Sequence, residues 1–228
     1  MLHPADFNIV FVLFDGVTQL DFAGPVQFFA RMPGAKIHVA SKDGGPVATD
    51  CGFSILPHSG FADCPQADLL CVPGGFGVAD ALSDTILTDF VATQAGSAKW
   101  VTSVCTGAFI LGAAGLLAGK RVSTHWGYTH LLAKYGAVHE EARIVYDGNL
   151  ITAGGVTSGI DFALSVIATL AGEDIAQSIQ LACEYDPAPP FVGGHPSRTP
   201  KPIVDEIRAR FYDGAAQRME AGIAASLL

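Results

Sequence analysis

Cys105 is the centre of Ser103-Val104-Cys105-Thr106-Gly107, an S-x-C-x-G spacing that is the thiol counterpart of the G-x-S-x-G hydrolase elbow. A nucleophile on a sharp strand-to-helix turn needs small residues two positions away on each side, because the turn crowds them against neighbouring backbone. Ser103 and Gly107 meet that need. Such a turn also offers amides and the positive end of a helix dipole to a thiolate, so a lowered thiol pKa is expected at Cys105. The competing reading is a small apolar core residue, the usual fate of a free cysteine.

Asp21 is the carboxylate best placed to work with such a thiol. Beside the start of a helix, its simplest role is capping. If it instead faces Cys105 in a poorly solvated pocket, the two acids compete for one negative charge, and the carboxyl keeps a proton that it can deliver. Gly74 and Gly75, after Pro73, either make a plain turn or bring amides to an oxyanion-type site that needs close backbone approach. Thr106 either opens the helix or contributes its amide or hydroxyl to that site. His125 is read as a packed or surface histidine, with a Cys–His dyad as the alternative that only the fold can decide. Gly154-Gly155-Val-Thr-Ser-Gly159 lacks a Walker lysine and the dinucleotide spacing, so close packing accounts for it. No His, Cys, Asp or Glu pair has zinc-like spacing, so no metal is expected.

The elements that must hold these residues alternate. Asn8 to Phe14 reads as a strand, Asp21 to Arg31 as a helix, Lys36 to Ser41 and Asp68 to Val72 as strands, and Ser83 to Gln94 as a helix. Trp100 to Val104, β-branched or aromatic apart from Ser103, is a buried strand, and the Ala, Phe, Ile and Leu that follow suit a packed helix. Then come a strand at Arg121 to Thr124, a helix at Gly127 to Tyr135, and two short strands, Arg143 to Tyr146 and Leu150 to Thr152, about an Asp147-Gly148-Asn149 turn. A helix from Thr157 to Ala171 closes the core, with Cys71 in a strand and Cys183 in a helix, both read as core. An irregular proline-rich stretch and an amphipathic helix from Ile203 to about Ile223 finish the chain. This alternation gives an α/β fold with a mostly parallel sheet, which places ligands beyond the carboxyl ends of the strands. The turn after the first strand, Gly74-Gly75 and Cys105 all fall there.

The 228 residues, half of them hydrophobic and 15% charged, suit one large α/β domain spanning 1–228 and a buried subunit interface, hence a homodimer. A formal net charge of -9 excludes a basic footprint for nucleic acid or anionic lipid, leaving a small-molecule partner. Five cysteines without framework spacing point to reduced thiols and a cytoplasmic location. The opening MLHPADFN lacks the pattern of a secretory signal, and Val101 to Gly119, rich in Gly, Ala, Ser and Thr, reads as strand plus helix rather than a membrane span.

The series LFDGVTQLDFAGP, FADCP, PGGFGV, VTSVCTGAFILGAAGLLAGKR, THWGY, DGNLITAGGVTSGIDFAL and QLACEYDPAPPF resembles the ThiJ/PfpI superfamily over nearly the whole chain. The resemblance is narrowest to its isonitrile hydratases. It implies the class I glutamine amidotransferase-like fold, a three-layer flavodoxin-like sandwich with a nucleophile elbow. It further implies Cys105 as nucleophile with Asp21 where many relatives carry glutamate, an isonitrile substrate hydrated to a formamide through a cysteine thioimidate, and no cofactor. Protease-like members have histidine directly after the cysteine; Thr106 stands there, which counts against peptidase activity. Related domains of AraC-type regulators share THW and PAPPF but continue into a helix-turn-helix module, whereas this chain ends at Leu228. Chemistry on reactive carbonyls of the glyoxalase or deglycase kind, and a non-enzymatic redox or ligand sensor using Cys105, are the alternatives.

Overall fold

A computed structural model describes residues 6–228, so the N-terminal reading of MLHPA lies outside the described residues. In chain order the elements are β1 (Phe7–Val12), α1 (Gln19–Phe29), β2 (Ala35–Ser41), β3 (Val47–Ala48), β4 (Ser54–Ile55), β5 (Ser59–Gly60), β6 (Leu69–Val72), α2 (Val78–Ala81), α3 (Thr85–Ser97), β7 (Trp100–Val104) and α4 (Gly107–Ala113). They continue with β8 (Arg121–Val122), β9 (Val138–His139), β10 (Ile144–Asp147), β11 (Leu150–Ala153), α5 (Ser158–Ala171), α6 (Glu173–Ala182), α7 (Lys201–Ile207) and α8 (Asp213–Ser226).

Seven strands form one sheet in the order β10-β11-β7-β6-β1-β2-β5. All neighbours are parallel except the edge pair β10 and β11. Strand β1 shows why the sheet is covered on both faces. Apart from Asn8 its run FNIVFV is apolar, and the period of two sends Ile9 and Phe11 into one core and Val10 and Val12 into the other. On the first face α1, α5 and α6 contribute Phe28, Phe29, Phe162, Val166 and Ile179. On the second, α3, α4 and α8 contribute Leu87, Val91, Phe109 and Ile223. Each such side chain, removed from water, stabilises the fold by about 1.5–3 kcal/mol. The result is the three-layer flavodoxin-like sandwich.

Glycine lets the first layer close on itself. A Cβ at Gly159 of α5 would lie 3.0 Å from Pro25 Cδ of α1, and one at Gly155 would lie 2.6 Å from the His125 ring. Close packing therefore explains the Gly154–Gly159 stretch. Val101 to Gly119 is β7 and α4, and among the described residues no helix is long and apolar enough to cross a membrane.

Five readings need correction. Helix α1 starts at Gln19, so Asp21 sits in the first turn; Thr18 occupies the capping position and Asp21 caps nothing. The strand expected at Arg121 to Thr124 ends at Val122, because Ser123 N donates to Thr152 Oγ1 and Thr124 Oγ1 to the Cys105 carbonyl. The helix expected from Gly127 is a 3-10 helix over Thr129–Tyr135, the Gly127 amide being taken by His125 Nδ1. The C-terminal amphipathic helix is α7 and α8 joined by a π-helical turn, Arg208–Tyr212. Cys71 is buried, but Cys183 is half-buried at the end of α6 rather than inside it.

Candidate active site

Strand order reverses about β1: the chain crosses to β2 on one side, then returns to place β6 on the other. A crevice opens at the carboxyl ends of strands flanking such a reversal. The loops after β1, β6 and β7 meet there, with Thr18 N donating to the Gly74 carbonyl at 2.9 Å.

Cys105 sits on a left-handed backbone, φ +57°, between the last residue of β7 and the start of α4. That conformation costs a non-glycine residue about 1–3 kcal/mol and persists only where surrounding bonds over-determine it. Here the Cys105 amide donates to the carbonyls of Ala153 (3.0 Å) and Gly154 (2.8 Å), and its carbonyl accepts from Thr124 Oγ1 at 2.7 Å. The small-residue requirement is strict on one side. A Cβ at Gly107 would stand 2.1 Å from the Val72 carbonyl oxygen. On the other side Ser103 is fully buried.

Asp21 reaches this turn from α1. Its Oδ2 accepts from Gly74 N at 3.0 Å, and its carboxyl interacts with the Cys105 thiol. Oδ1 is buried without a hydrogen-bond partner. Burial raises the Asp21 pKa to about 7; the Cys105 and Gly74 interactions pull it down and the charge of Asp50 adds to the rise. Burial also pushes the Cys105 thiol well above its ordinary value, and neighbouring Asp21 pushes it further, outweighing the hydrogen bonds from Thr106. The lowered thiol pKa expected from the helix start is therefore overturned. Burial raises both groups and their contact couples them, so they titrate as a unit, and near neutral pH the pair retains a proton.

The three residues read as oxyanion donors occupy different stations. The Gly74 amide is engaged by Asp21, and the Gly75 amide donates to Thr106 Oγ1 at 2.9 Å. The Thr106 hydroxyl returns a bond to the Gly75 carbonyl at 3.2 Å. Both the Thr106 backbone amide and its hydroxyl act on the sulfur. Glycine is required at both positions: a Cβ at Gly74 would lie 2.5 Å from Thr106 N, and one at Gly75, φ +149°, 2.3 Å from the Gly16 carbonyl oxygen.

A cavity of about 40 Å³ opens onto the thiol. Thr18, Gly75, Thr106 and Val156 line it together with the rings of Phe76, His125, Tyr128 and Tyr212. His125 thus shares the cavity with Cys105. Burial lowers its pKa to about 4, so its ring is neutral at physiological pH and does not supply the cation of a Cys–His ion pair. The sequence offered no sign of Tyr212. It arrives on the π turn and packs against His125 (ring centroids 4.8 Å apart), Trp126 (4.9 Å) and Tyr128 (5.9 Å). Phe76 and Tyr128 belong to the PGGFGV and THWGY segments, whose aromatic residues carried the only available signal. Among the described residues, no group of three or more His, Cys, Asp and Glu is arranged to hold a metal ion.

Sheet order, elbow and buried carboxyl together define a flavodoxin-like α/β protein with its cysteine at the strand-reversal crevice. The chain belongs to the DJ-1/PfpI family, whose model matches residues 8–169. It is similar to the isonitrile hydratase of Pseudomonas putida, with 50% identity over 213 residues and 93% of each chain covered. Its structure matches that of a ThiJ/PfpI family protein from Pseudomonas syringae with a TM-score of 0.93 and 38% identity, over 96% of this chain and 91% of that one. The structure of DJ-1beta from Drosophila melanogaster shares the fold at TM-score 0.69 and 24% identity, covering 78% of this chain and 98% of the other.

Proposed function

We propose that the protein is a cofactor-independent isonitrile hydratase, converting R–NC and water to an N-substituted formamide, with Cys105 as nucleophile and Asp21 as its proton partner. One observation carries the reading: a buried carboxyl in contact with a buried thiol at a strained elbow, the thiol lining a cavity that has, among the described residues, no charged side chain. The similarity to the Pseudomonas putida enzyme over 93% of both chains supports the same choice.

The terminal carbon of an isonitrile accepts a nucleophile and a proton at the same atom. Cys105 sulfur forms the new C–S bond, and the proton held by the Cys105–Asp21 pair passes to that carbon, giving the thioimidate Cys–S–CH=N–R. Water then adds to the carbon while Asp21 takes one of its protons. The nitrogen gains a proton, the C–S bond breaks, and the formamide R–NH–CHO leaves as the thiol regains its proton. A carboxyl with a pKa near 7 suits both directions of transfer. The Thr106 amide steadies negative charge on sulfur as it attacks and as it leaves. Neutral His125 and the neighbouring rings line the space around the reacting carbon without offering a competing cation.

Purified protein given an alkyl or aryl isonitrile should release the matching formamide, seen by NMR, and prior chelator treatment should leave the rate unchanged. Lactate from methylglyoxal, with no formamide from several isonitriles, would move the assignment to carbonyl chemistry. The reading extends to a single 228-residue domain, a homodimer and a reducing cytoplasmic setting. Exposed Leu181, Phe191 and Val192 and the five unpaired cysteines support these last two features. A monomer in multi-angle light scattering would remove the dimer.

A further inference from the structure

We infer that Tyr212, carried on the C-terminal π turn, is the specificity-determining residue that limits how large an organic group can reach Cys105. The inference rests on the hydratase reading for the identity of the reacting group. It rests on the structure alone for the size limit.

The cavity at the thiol measures about 40 Å³. An apolar cavity that takes up benzene is about 150 Å³. The space at Cys105 therefore holds the two-atom isonitrile head, while a ring or branched alkyl group must extend out of the cavity past its lining residues. Tyr212 is part of that wall, and its ring meets Trp126 edge to face at 4.9 Å and 70°. Trp126 in turn lines a second, open groove of about 180 Å³, whose apolar side is Ile203, Val204 and Ile207. The Trp126–Tyr212 contact thus joins the walls of two spaces, one too small for a ring and one large enough.

Tyr212 can come this close because residue 127 is glycine: a Cβ there would lie 3.1 Å from Tyr212 Cγ. The segment that delivers the ring lies beyond residues 8–169, the part matched by the family model, and its anchors to the core include surface ion pairs such as Arg218–Asp80. Core and size filter are therefore separate pieces of chain, and the filter can change without disturbing the elbow.

The test compares ratios. For the parent, Tyr212→Ala, Tyr212→Leu, Tyr212→Phe and Arg218→Ala, kcat/KM would be measured with methyl isonitrile and with a 2,6-disubstituted phenyl isonitrile. In parallel, Cys105 alkylation would be timed with iodoacetamide and with N-pyrenylmaleimide. Tyr212→Ala should raise the bulky-to-small ratio by about tenfold or more in both assays, a change typical of a pocket gaining several carbon atoms of space. Tyr212→Leu should raise it less, and Tyr212→Phe should keep the parent ratio because the ring sets the limit. Arg218→Ala, which releases an anchor of α8 without touching the cavity, should also keep it, separating a size filter from general loosening. If Tyr212→Ala is not folded, Tyr212→Leu decides. An unchanged alkylation ratio, or an equal rise in Arg218→Ala, overturns the inference. If the parent hydrates no isonitrile, the function reading falls and the alkylation ratio alone upholds or overturns the filter.

Discussion

The elbow at Cys105 and the turn at Tyr212 present side chains to the same cavity, but the fold holds them by opposite means. Cys105 is 5% exposed, and its strained backbone is fixed by bonds to Ala153, Gly154 and Thr124 from two other segments. Tyr212 is half-buried in a segment where α7 and the π turn have no buried residue and α8 buries only Met219 and Ile223. A reacting atom must be placed within a fraction of an ångström, and the end of a rigid interior strand does that. A wall that decides which substrates fit needs only a surface, and a peripheral segment is enough. Chemistry and selectivity thus come from regions of different local stability.

The sharpest break in that contrast is at the elbow. Cys105→Ala removes the attacking atom, and formamide production should fall to background in a turnover assay. Asp21→Asn keeps the shape but not the transferable proton, and kcat should drop by about 10²–10⁴-fold. Its stability should move the other way. Burial raises the Asp21 pKa from 3.8 in the unfolded chain to about 7 in the fold. Between those values the native state keeps a proton that the unfolded chain has lost, so stability falls as pH rises through that window and levels off above it. The whole effect is at most ~4 kcal/mol. Denaturant titrations at pH 4 and pH 8 should show this loss in the parent and a smaller loss in Asp21→Asn; parallel curves would remove the buried-acid account.

Gly107→Ala places a methyl group against the Val72 carbonyl oxygen, and a destabilisation of about 1–3 kcal/mol or more should accompany loss of activity. Thermal unfolding measures it directly. At the periphery, Arg218→Ala breaks an ion pair whose partners are 62% and 77% exposed. Its effect on stability should stay within about 0.5 kcal/mol. A larger loss there would mean that the C-terminal segment is as tightly integrated as the elbow, and the contrast would collapse.

The same contrast divides what the sequence could reveal. Cys105 was legible because a local pattern, a β-branched run followed by small residues, dictates both the turn and the packing around it. The parallel sheet was legible because its strands are apolar on both faces and alternate with helical segments. The direction of the Cys105 pKa was not, since amides at a helix start are visible locally while burial against Asp21 is produced by the meeting of α1 with β7. Asp21 itself read more simply as a cap, and the helix starting at Gln19 decided otherwise. Tyr212 was hidden altogether. Its stretch continues an amphipathic period, and nothing in Arg-Ala-Arg-Phe-Tyr marks the widened turn that aims the ring inward.

The most direct test is intact-protein mass spectrometry of the enzyme quenched during turnover of an isonitrile. Addition of thiol to the isonitrile loses no atoms, so the protein should gain the full mass of the substrate, mapped to Cys105 and absent from Cys105→Ala. Formamide formed by Cys105→Ala at the parent's rate, with neither protein gaining mass, would contradict the covalent route.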